Sequence, residues 1–106
     1  MGLTMFYVPY PSRDSAEQII RFLIQNRFIA CANIIVSESH FFWEDTLTKS
    51  EEFIVVMKTW PEKVDDVRNK ILSMHPYETP AVIHWPASCN ETFESWVQFC
   101  VSRDET

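Results

Sequence analysis

The segment formed by residues 28–43 constrains the fold more than any other part of this sequence. Residues 28–36 are rich in Ile, Val and Ala, and residues 41–43 are Phe-Phe-Trp, with only the polar patch 37–40 between them. A strand covering residues 30–43 would extend about 46 Å at ~3.3 Å per residue. A compact domain of this size has a radius of gyration near ~13 Å, hence a diameter of roughly 35 Å. Such a strand would project beyond its own domain.

Two interpretations of this segment are open. In the first, the polar patch is a bulge or a turn and the hairpin is short. In the second, the hairpin is a long arm that pairs with a neighbouring subunit, because exposed strand edges and aromatic patches are normally paired or covered. We favour the second interpretation and expect an oligomer. Trp43, at the end of the arm, is then a candidate interface anchor, since tryptophan concentrates at such contacts.

The rest of the chain alternates apolar runs with stretches of helical periodicity. Strands are predicted at residues 5–10, 53–59 and 81–85, with a turn at residues 45–50. Ser12 is the predicted N-cap of a first helix that fades near residues 26–27. A second helix is predicted to open with a capping box at residues 59–62 and to end at His75-Pro76. Ser88 or Asn90 is expected to cap a last helix.

This order of elements, β-α-β-β-α-β followed by a C-terminal helix, is the ferredoxin-like pattern. We therefore predict a single α+β domain over residues 1–106. Its sheet is expected to be antiparallel, with helices on one face and an extended hairpin between the second and third strands.

Composition and motifs exclude several classes of protein. Nine Lys and Arg against 15 Asp and Glu give a net charge of −6, the opposite of the basic surface that binds nucleic acid. No apolar run reaches the ~18–20 residues of a membrane span, and the N-terminus lacks the features of a signal peptide. The only glycine is Gly2, which excludes Rossmann and P-loop nucleotide sites. Three cysteines without a CxxC pair favour a reducing, cytoplasmic setting.

The segment His75-Pro76-Tyr77-Glu78-Thr79-Pro80 is the strongest candidate for chemistry. Its two prolines stiffen the backbone and hold an imidazole, a phenol and a carboxylate with little entropy left to lose. Imidazole and carboxylate are both ligands of Zn²⁺ and Cu²⁺. The alternative is a rigid connection from helix to strand whose polar groups only satisfy the backbone.

Two residues of the predicted strands are also candidates. Cys31 lies between alanines, where it is either a small core residue or a thiol ligand. Lys58 shares a strand face with Ile54 and Val56, so it either pairs with a carboxylate or an anionic ligand or reaches water at the strand end.

Several segments taken together resemble the CutA divalent-cation-tolerance family. They are Pro11-Ser12, Ile29-Ala30-Cys31-Ala32-Asn33-Ile34, Phe42-Trp43-Glu44, residues 53–59, His75-Pro76-Tyr77-Glu78-Thr79-Pro80 and Trp96. These segments fall in the family's order and span nearly the whole chain. Val8 and Met74 stand where some members have a second cysteine and a second histidine, which removes two candidate ligands.

The resemblance implies a ferredoxin-like homotrimer whose long hairpins pair between neighbours, similar in assembly to trimeric PII signalling proteins. It implies a role in tolerance of copper and other divalent cations. The family's residues at the matching positions lie around a cleft between subunits, and here they are Cys31, Trp43, Lys58, His75, Tyr77 and Glu78.

We therefore expect a cytoplasmic homotrimer that is not an enzyme and that has no nucleic-acid or membrane partner. It is expected to bind Cu²⁺ or another divalent cation weakly and without a structural role. The candidate ligands are His75, Glu78 and Cys31, and the cleft residues are Trp43, Lys58 and Tyr77. The alternative is a PII-like signalling trimer that holds a small anionic ligand in the cleft beside Lys58.

Overall fold

The computed structural model describes residues 2–102, so residue 1 and residues 103–106 of the predicted domain lie outside the described part. Within it the strands are β1 (Leu3–Tyr10), β2 (Cys31–Trp43), β3 (Thr46–Thr59) and β4 (Ile83–Ala87). The helices are α1 (Arg13–Gln25), α2 (Val64–Met74), which follows a 3-10 turn at Pro61–Lys63, and α3 (Glu91–Ser102). The order of elements is the one that the sequence predicted.

The four strands form one antiparallel sheet in the order β2-β3-β1-β4. This is the strand order of the ferredoxin-like fold, which confirms the predicted class. Side chains of α1 and α2 pack on alternate residues of the central strands. The main core consists of Phe6, Val8, Tyr10, Ala16, Ile19, Leu23, Ile29, Val55, Met57, Val67 and Ile71, all buried. A second cluster joins α3, through Val97 and Val101, to Leu3, Ala30 and Trp60.

The helix boundaries follow from local hydrogen bonds. Ser12 caps α1 as predicted, since its hydroxyl accepts a hydrogen bond from the backbone N–H of Ser15 at 3.1 Å. The predicted capping box at residues 59–62 is wrong. The Thr59 hydroxyl instead donates to the carbonyl of Phe28 at 2.6 Å, and Trp60 stands at the N-cap without a side-chain bond. Thr59 therefore ties the end of β3 to the connection before β2.

The hairpin of β2 and β3 is long and uninterrupted. The two strands pair in register from Cys31↔Lys58 to Trp43↔Thr46, so the short-hairpin interpretation is wrong. The predicted turn at residues 45–50 is also wrong, because a two-residue turn at Glu44 and Asp45 suffices. Both residues have positive φ, 50° and 62°, the left-handed conformation that tight hairpin turns require.

Part of this hairpin stands free of the rest of the sheet. β1 pairs with β3 only as far as Tyr10↔Phe53, and residues 37–52 continue beyond it as a two-stranded ribbon, here called the arm. The longest dimension of the molecule is 48 Å and the radius of gyration is 14.6 Å, above the ~13 Å of a compact domain. Phe42 and Leu47 at the tip are 68% and 78% exposed.

The fourth strand lies two residues later than predicted, at Ile83–Ala87 instead of residues 81–85. Pro86 follows the predicted range directly and lies inside the observed strand. The position tolerates proline because β4 is an edge strand, which within residues 2–102 pairs only with β1. No second neighbouring strand needs the backbone N–H that proline lacks.

Candidate functional site

The connection from α2 to β4 is held by both ring nitrogens of His75. Its Nε2 donates to the carbonyl oxygen of Pro9 at 2.8 Å, and its Nδ1 accepts from the backbone N–H of Tyr77 at 3.1 Å. The ring also stacks on Tyr10 with 4.3 Å between centroids. These partners require the neutral tautomer with the proton on Nε2. Burial lowers the pKa of His75, which favours the same neutral form.

Tyr77 and Glu78, the two residues after Pro76, lie in different surroundings. The Tyr77 hydroxyl donates to Oε2 of Glu52 at 2.5 Å, which tethers the connection to β3. Burial, and then the hydrogen bond and charge of Glu52, raise the pKa of Tyr77. Glu78 is exposed. The rigid segment thus presents one carboxylate to solvent and binds a second one on the sheet.

Glu52 is the site residue that sequence reasoning missed. It is 8% exposed and lies in β3, between the predicted turn at residues 45–50 and the predicted strand at residues 53–59. The signal was present in the period of two, because Glu52 continues the face of Ile54, Val56 and Lys58. An acidic side chain on a buried strand face requires a hydrogen-bonded partner, and Tyr77 supplies it.

A groove of about 750 Å³ separates the arm from the segment after His75. One wall is the arm, where Ser39, Phe41 and Trp43 share a face with their cross-strand partners on β3 and His40 also lines the groove. Pro9, Tyr77, Glu78, Thr79 and Ala81 are on the other side, and Glu52 also lines the groove. The structure therefore brings Trp43, Tyr77 and Glu78 to one groove of a single protomer, and the cleft between subunits stays a prediction.

Cys31 and Lys58 lie elsewhere. They face each other across β2 and β3, four residues along β3 from Ile54, the cross-strand partner of Pro9. At ~3.3 Å per residue, this places them about 13 Å along the strand from the His75 anchor. Lys58 Nζ donates to Oδ1 of Asn33 at 2.5 Å, so its partner in the protomer is a neutral amide and not a carboxylate. Burial raises the pKa of the Cys31 thiol, and the Lys58 ammonium counteracts that rise.

The six candidate residues thus form two groups within one protomer. Across residues 2–102 no three His, Cys, Asp or Glu side chains converge as a set of metal ligands. Metal binding by His75, Glu78 and Cys31 stays a prediction. All three cysteines are free thiols. None of the helices between residues 2 and 102 combines the length and the apolar character needed to cross a membrane.

Comparisons with known protein families, sequences and structures find the same protein family. Residues 4–99 match the family model of the CutA1 divalent ion tolerance protein. The chain is 34% identical over 92 residues to the divalent-cation tolerance protein CutA of Archaeoglobus fulgidus, which covers 86% of this chain and 90% of that protein.

Two solved structures are similar along almost their whole length. The crystal structure of the divalent ion tolerance protein CutA1 from Ehrlichia chaffeensis gives a TM-score of 0.91 at 34% identity and covers 94% of this chain and 95% of that chain. The periplasmic divalent cation tolerance protein CutA from Archaeoglobus fulgidus gives a TM-score of 0.89 at 32% identity and covers 93% of this chain and 98% of that chain.

Proposed function

This chain belongs to the CutA1 divalent ion tolerance family, as its motifs predicted, and we propose that it acts in the tolerance of divalent metal ions as a homotrimer without enzymatic activity. The observation that carries the proposal is the match of residues 4–99 to that family, together with relatives whose names state divalent-cation tolerance. Copper is the proposed principal ion, since imidazole and thiol ligands favour it among the divalent first-row metals.

The arm supports the trimer. Its tip carries Phe42 and Leu47 on one face and Phe41 and Trp43 on the other, all four of them exposed in the single protomer. The outer edge of β2 has no partner strand in the described part of the chain. A long apolar edge of this kind is a template for pairing with another chain. An obligate interface that covers it would bury upwards of about 2,000 Å².

Metal binding is proposed to be weak because both ring nitrogens of His75 are already hydrogen-bonded. A metal ion that takes one of its ring nitrogens displaces a hydrogen bond to Pro9 or Tyr77, at a cost of about 1 kcal/mol. Glu78 is exposed and can bind without such a cost. Cys31, about 13 Å along the strand, would join these ligands only from a neighbouring subunit.

Titration of the assembled protein with Cu²⁺, Zn²⁺ and, as a hard-ion control, Mg²⁺ tests the metal site. We expect saturable uptake of Cu²⁺ that weakens on acidification, because ligands must be deprotonated to bind, and that is reduced in His75→Ala and Glu78→Gln. The matched control is His84→Ala, which removes an exposed histidine of β4 away from the groove. Absence of saturable uptake, or equal loss in both histidine variants, would contradict the proposed site.

A small anionic ligand, held as in PII-like signalling trimers, is the second candidate function. The observation in its favour is that the ammonium of Lys58 is bonded to a neutral amide and not to a carboxylate. We expect this function to show as thermal stabilisation by phosphate or a nucleotide that is lost in Lys58→Ala. Stabilisation by divalent metals alone would reject it in favour of the first function.

We propose a cytoplasmic location, which the three free thiols support. Cell fractionation with antibody detection tests it directly. Recovery in a secreted or periplasmic fraction would contradict the proposal.

A further inference from the structure

We propose that the thiols of Cys31 and Cys100 bind monovalent copper, Cu⁺, as a pair of ligands within one chain. The inference goes beyond the proposed function, because it concerns an ion of a different charge and requires neither His75 nor Glu78 nor a second copy of the chain. It depends on the strand face on which Cys31 lies, on the packing of α3, and on the charge of Lys58 beside the pair.

Cys31 lies on the face of the sheet that is opposite to α1 and α2. Val55 and Met57 of β3 belong to the main core, which those two helices cover. Successive side chains of a strand alternate between its faces, so Lys58 lies on the other face. Cys31 is the direct cross-strand partner of Lys58 and therefore shares that face.

Helix α3 packs on the same face, at the end of the sheet where Cys31 lies. Its buried residues Val97 and Val101 form one cluster with Leu3 of β1 and with Ala30. Leu3 is an odd number of residues from Phe6, which belongs to the main core, so Leu3 points to the face opposite α1 and α2. The cluster therefore joins α3 to the face that carries the Cys31 thiol.

Cys100 brings a second thiol to this end of the sheet. It packs against the cluster that contains Ala30, the residue directly before Cys31. The Arg27 guanidinium donates to the backbone carbonyl of Cys100 at 3.3 Å and holds this turn of α3 beside the start of β2. Burial raises the pKa of the Cys31 thiol, the Lys58 ammonium counteracts that rise, and the charge of a Cys100 thiolate adds to it. The two thiols are thus close enough to interact.

A pair of thiols suits monovalent copper better than a divalent ion. Cu⁺ is a soft ion that selects thiolate ligands, and two of them suffice for it. Structural Zn²⁺ takes four ligands, and residues 2–102 contain no converging set of three His, Cys, Asp or Glu side chains. Binding replaces two S–H bonds by two Cu–S bonds and releases two protons, which leaves a complex with one negative charge. The ammonium of Lys58, the cross-strand partner of Cys31, offsets that charge.

The pair does not depend on an exposed surface. Both thiols are half-buried in the protomer, and another copy packed on this face would remove them further from water without changing the chain that carries both. An apolar shell of this kind limits the access of solvent to a bound metal. Cys89 packs against the same cluster, but its thiol donates to the carbonyl of Asn90 at 3.4 Å. Cys89 is therefore the matched control.

Anaerobic titration of the assembled protein with Cu⁺, in competition with a chromophoric Cu⁺ chelator, tests the pair. We expect one Cu⁺ per chain. Cys31→Ser and Cys100→Ser should each weaken binding by more than the ~10–100-fold that the loss of an outer-shell partner costs, and Cys89→Ser should leave it unchanged. No binding of Cu⁺, one Cu⁺ per three chains, or equal losses in all three variants would overturn the proposal.

X-ray absorption at the copper edge of the loaded parent protein covers the case in which a serine variant does not fold. We expect two sulfur ligands and no nitrogen ligand. A nitrogen ligand or a third sulfur ligand would contradict the pair.

His75→Ala separates this site from the proposed divalent site. It should reduce the uptake of Cu²⁺ and leave the affinity for Cu⁺ unchanged, because His75 is not a ligand of the pair. A weaker affinity for Cu⁺ in His75→Ala would contradict the proposal, whatever the outcome for Cu²⁺.

Discussion

The arm (residues 37–52) and the rest of the described chain, here called the body, carry the same kinds of side chain. They differ in how far those side chains are buried. In the body, Phe6 is fully buried between the sheet and the helices. In the arm, Phe42 is 68% exposed on a ribbon that pairs with no third strand from residues 2–102. A phenylalanine in the body is explained by the fold of one chain. For a phenylalanine at the tip of the arm, the proposed trimer supplies the packing partner, a surface of another copy of the chain.

The same substitution in both regions gives the largest expected contrast. Phe6→Ala should lower the free energy of unfolding by about 3–5 kcal/mol, because it leaves a cavity in the core. Phe42→Ala should leave the folded protomer intact and weaken self-association by about 2 kcal/mol. Denaturant unfolding at several protein concentrations separates the two, since a loss of association depends on concentration and a loss of core packing does not.

The control for this pair is Leu72→Ala in α2, a residue that is exposed on the body. Leu72→Ala should change neither the free energy of unfolding nor that of self-association by more than about 0.5 kcal/mol. A concentration-independent loss in Phe42→Ala that equals the loss in Phe6→Ala would erase the distinction between the regions.

Tyr77→Phe weakens the link between the two regions, since it removes the hydrogen bond to Glu52 at the base of the arm. We expect the free energy of unfolding to fall by about 1–3 kcal/mol, because the buried carboxylate of Glu52 is left without its hydrogen-bond donor. Denaturant unfolding at neutral pH measures this loss. The Phe variant keeps the ring in place, so a negligible effect would show that solvent replaces the donor at no cost.

The pH dependence of stability checks the same contact. Burial raises the pKa of Tyr77 above its unfolded value of 10.0. Above pH ~10 the unfolded chain therefore releases a proton that the folded chain retains, and stability falls as pH rises. We expect this alkaline loss to be steeper in the parent protein than in Tyr77→Phe. Tyr10, whose pKa burial also raises, contributes equally to both proteins.

The tip of the arm offers the smallest expected effect. Asp45 has φ of 62° in the two-residue turn, a conformation that costs a non-glycine residue about 1–2 kcal/mol. Asp45→Gly should raise the free energy of unfolding by about 0.5–1 kcal/mol. Arg27 in the body has a similar φ of 63°, but its guanidinium donates to the carbonyl of Cys100. Arg27→Gly should therefore not raise the free energy of unfolding. Equal increases for Asp45→Gly and Arg27→Gly would show that the Arg27 hydrogen bond does not matter.

The sequence predicts the body well because burial dictates its pattern. Ser12 is recognisable as a cap from its position before a helical stripe, and the strand order follows from the order of elements. The hairpin turn was placed wrongly because residues 46–50 are polar apart from Leu47, and polar residues in an exposed ribbon do not differ in pattern from a loop. Positive φ at Glu44 and Asp45 is not visible without a glycine or an asparagine to mark it.

The candidate site is less predictable because its contacts join distant parts of the chain. His75 is bonded to Pro9, 66 residues away, and Tyr77 is bonded to Glu52, 25 residues away. A local motif shows which groups are present but not which partner each ring nitrogen or hydroxyl meets. The motif of residues 75–80 therefore predicted a rigid functional segment and missed the carboxylate that it binds.

We propose that the arm pairs with other copies of this chain. Light scattering coupled to gel filtration measures the mass of the parent protein in solution most directly. One protomer has a mass of 12.5 kDa. We predict a single species of about 37–38 kDa, which is three times that mass; a single species of 12.5 kDa at all concentrations would show that the arm does not assemble the chain.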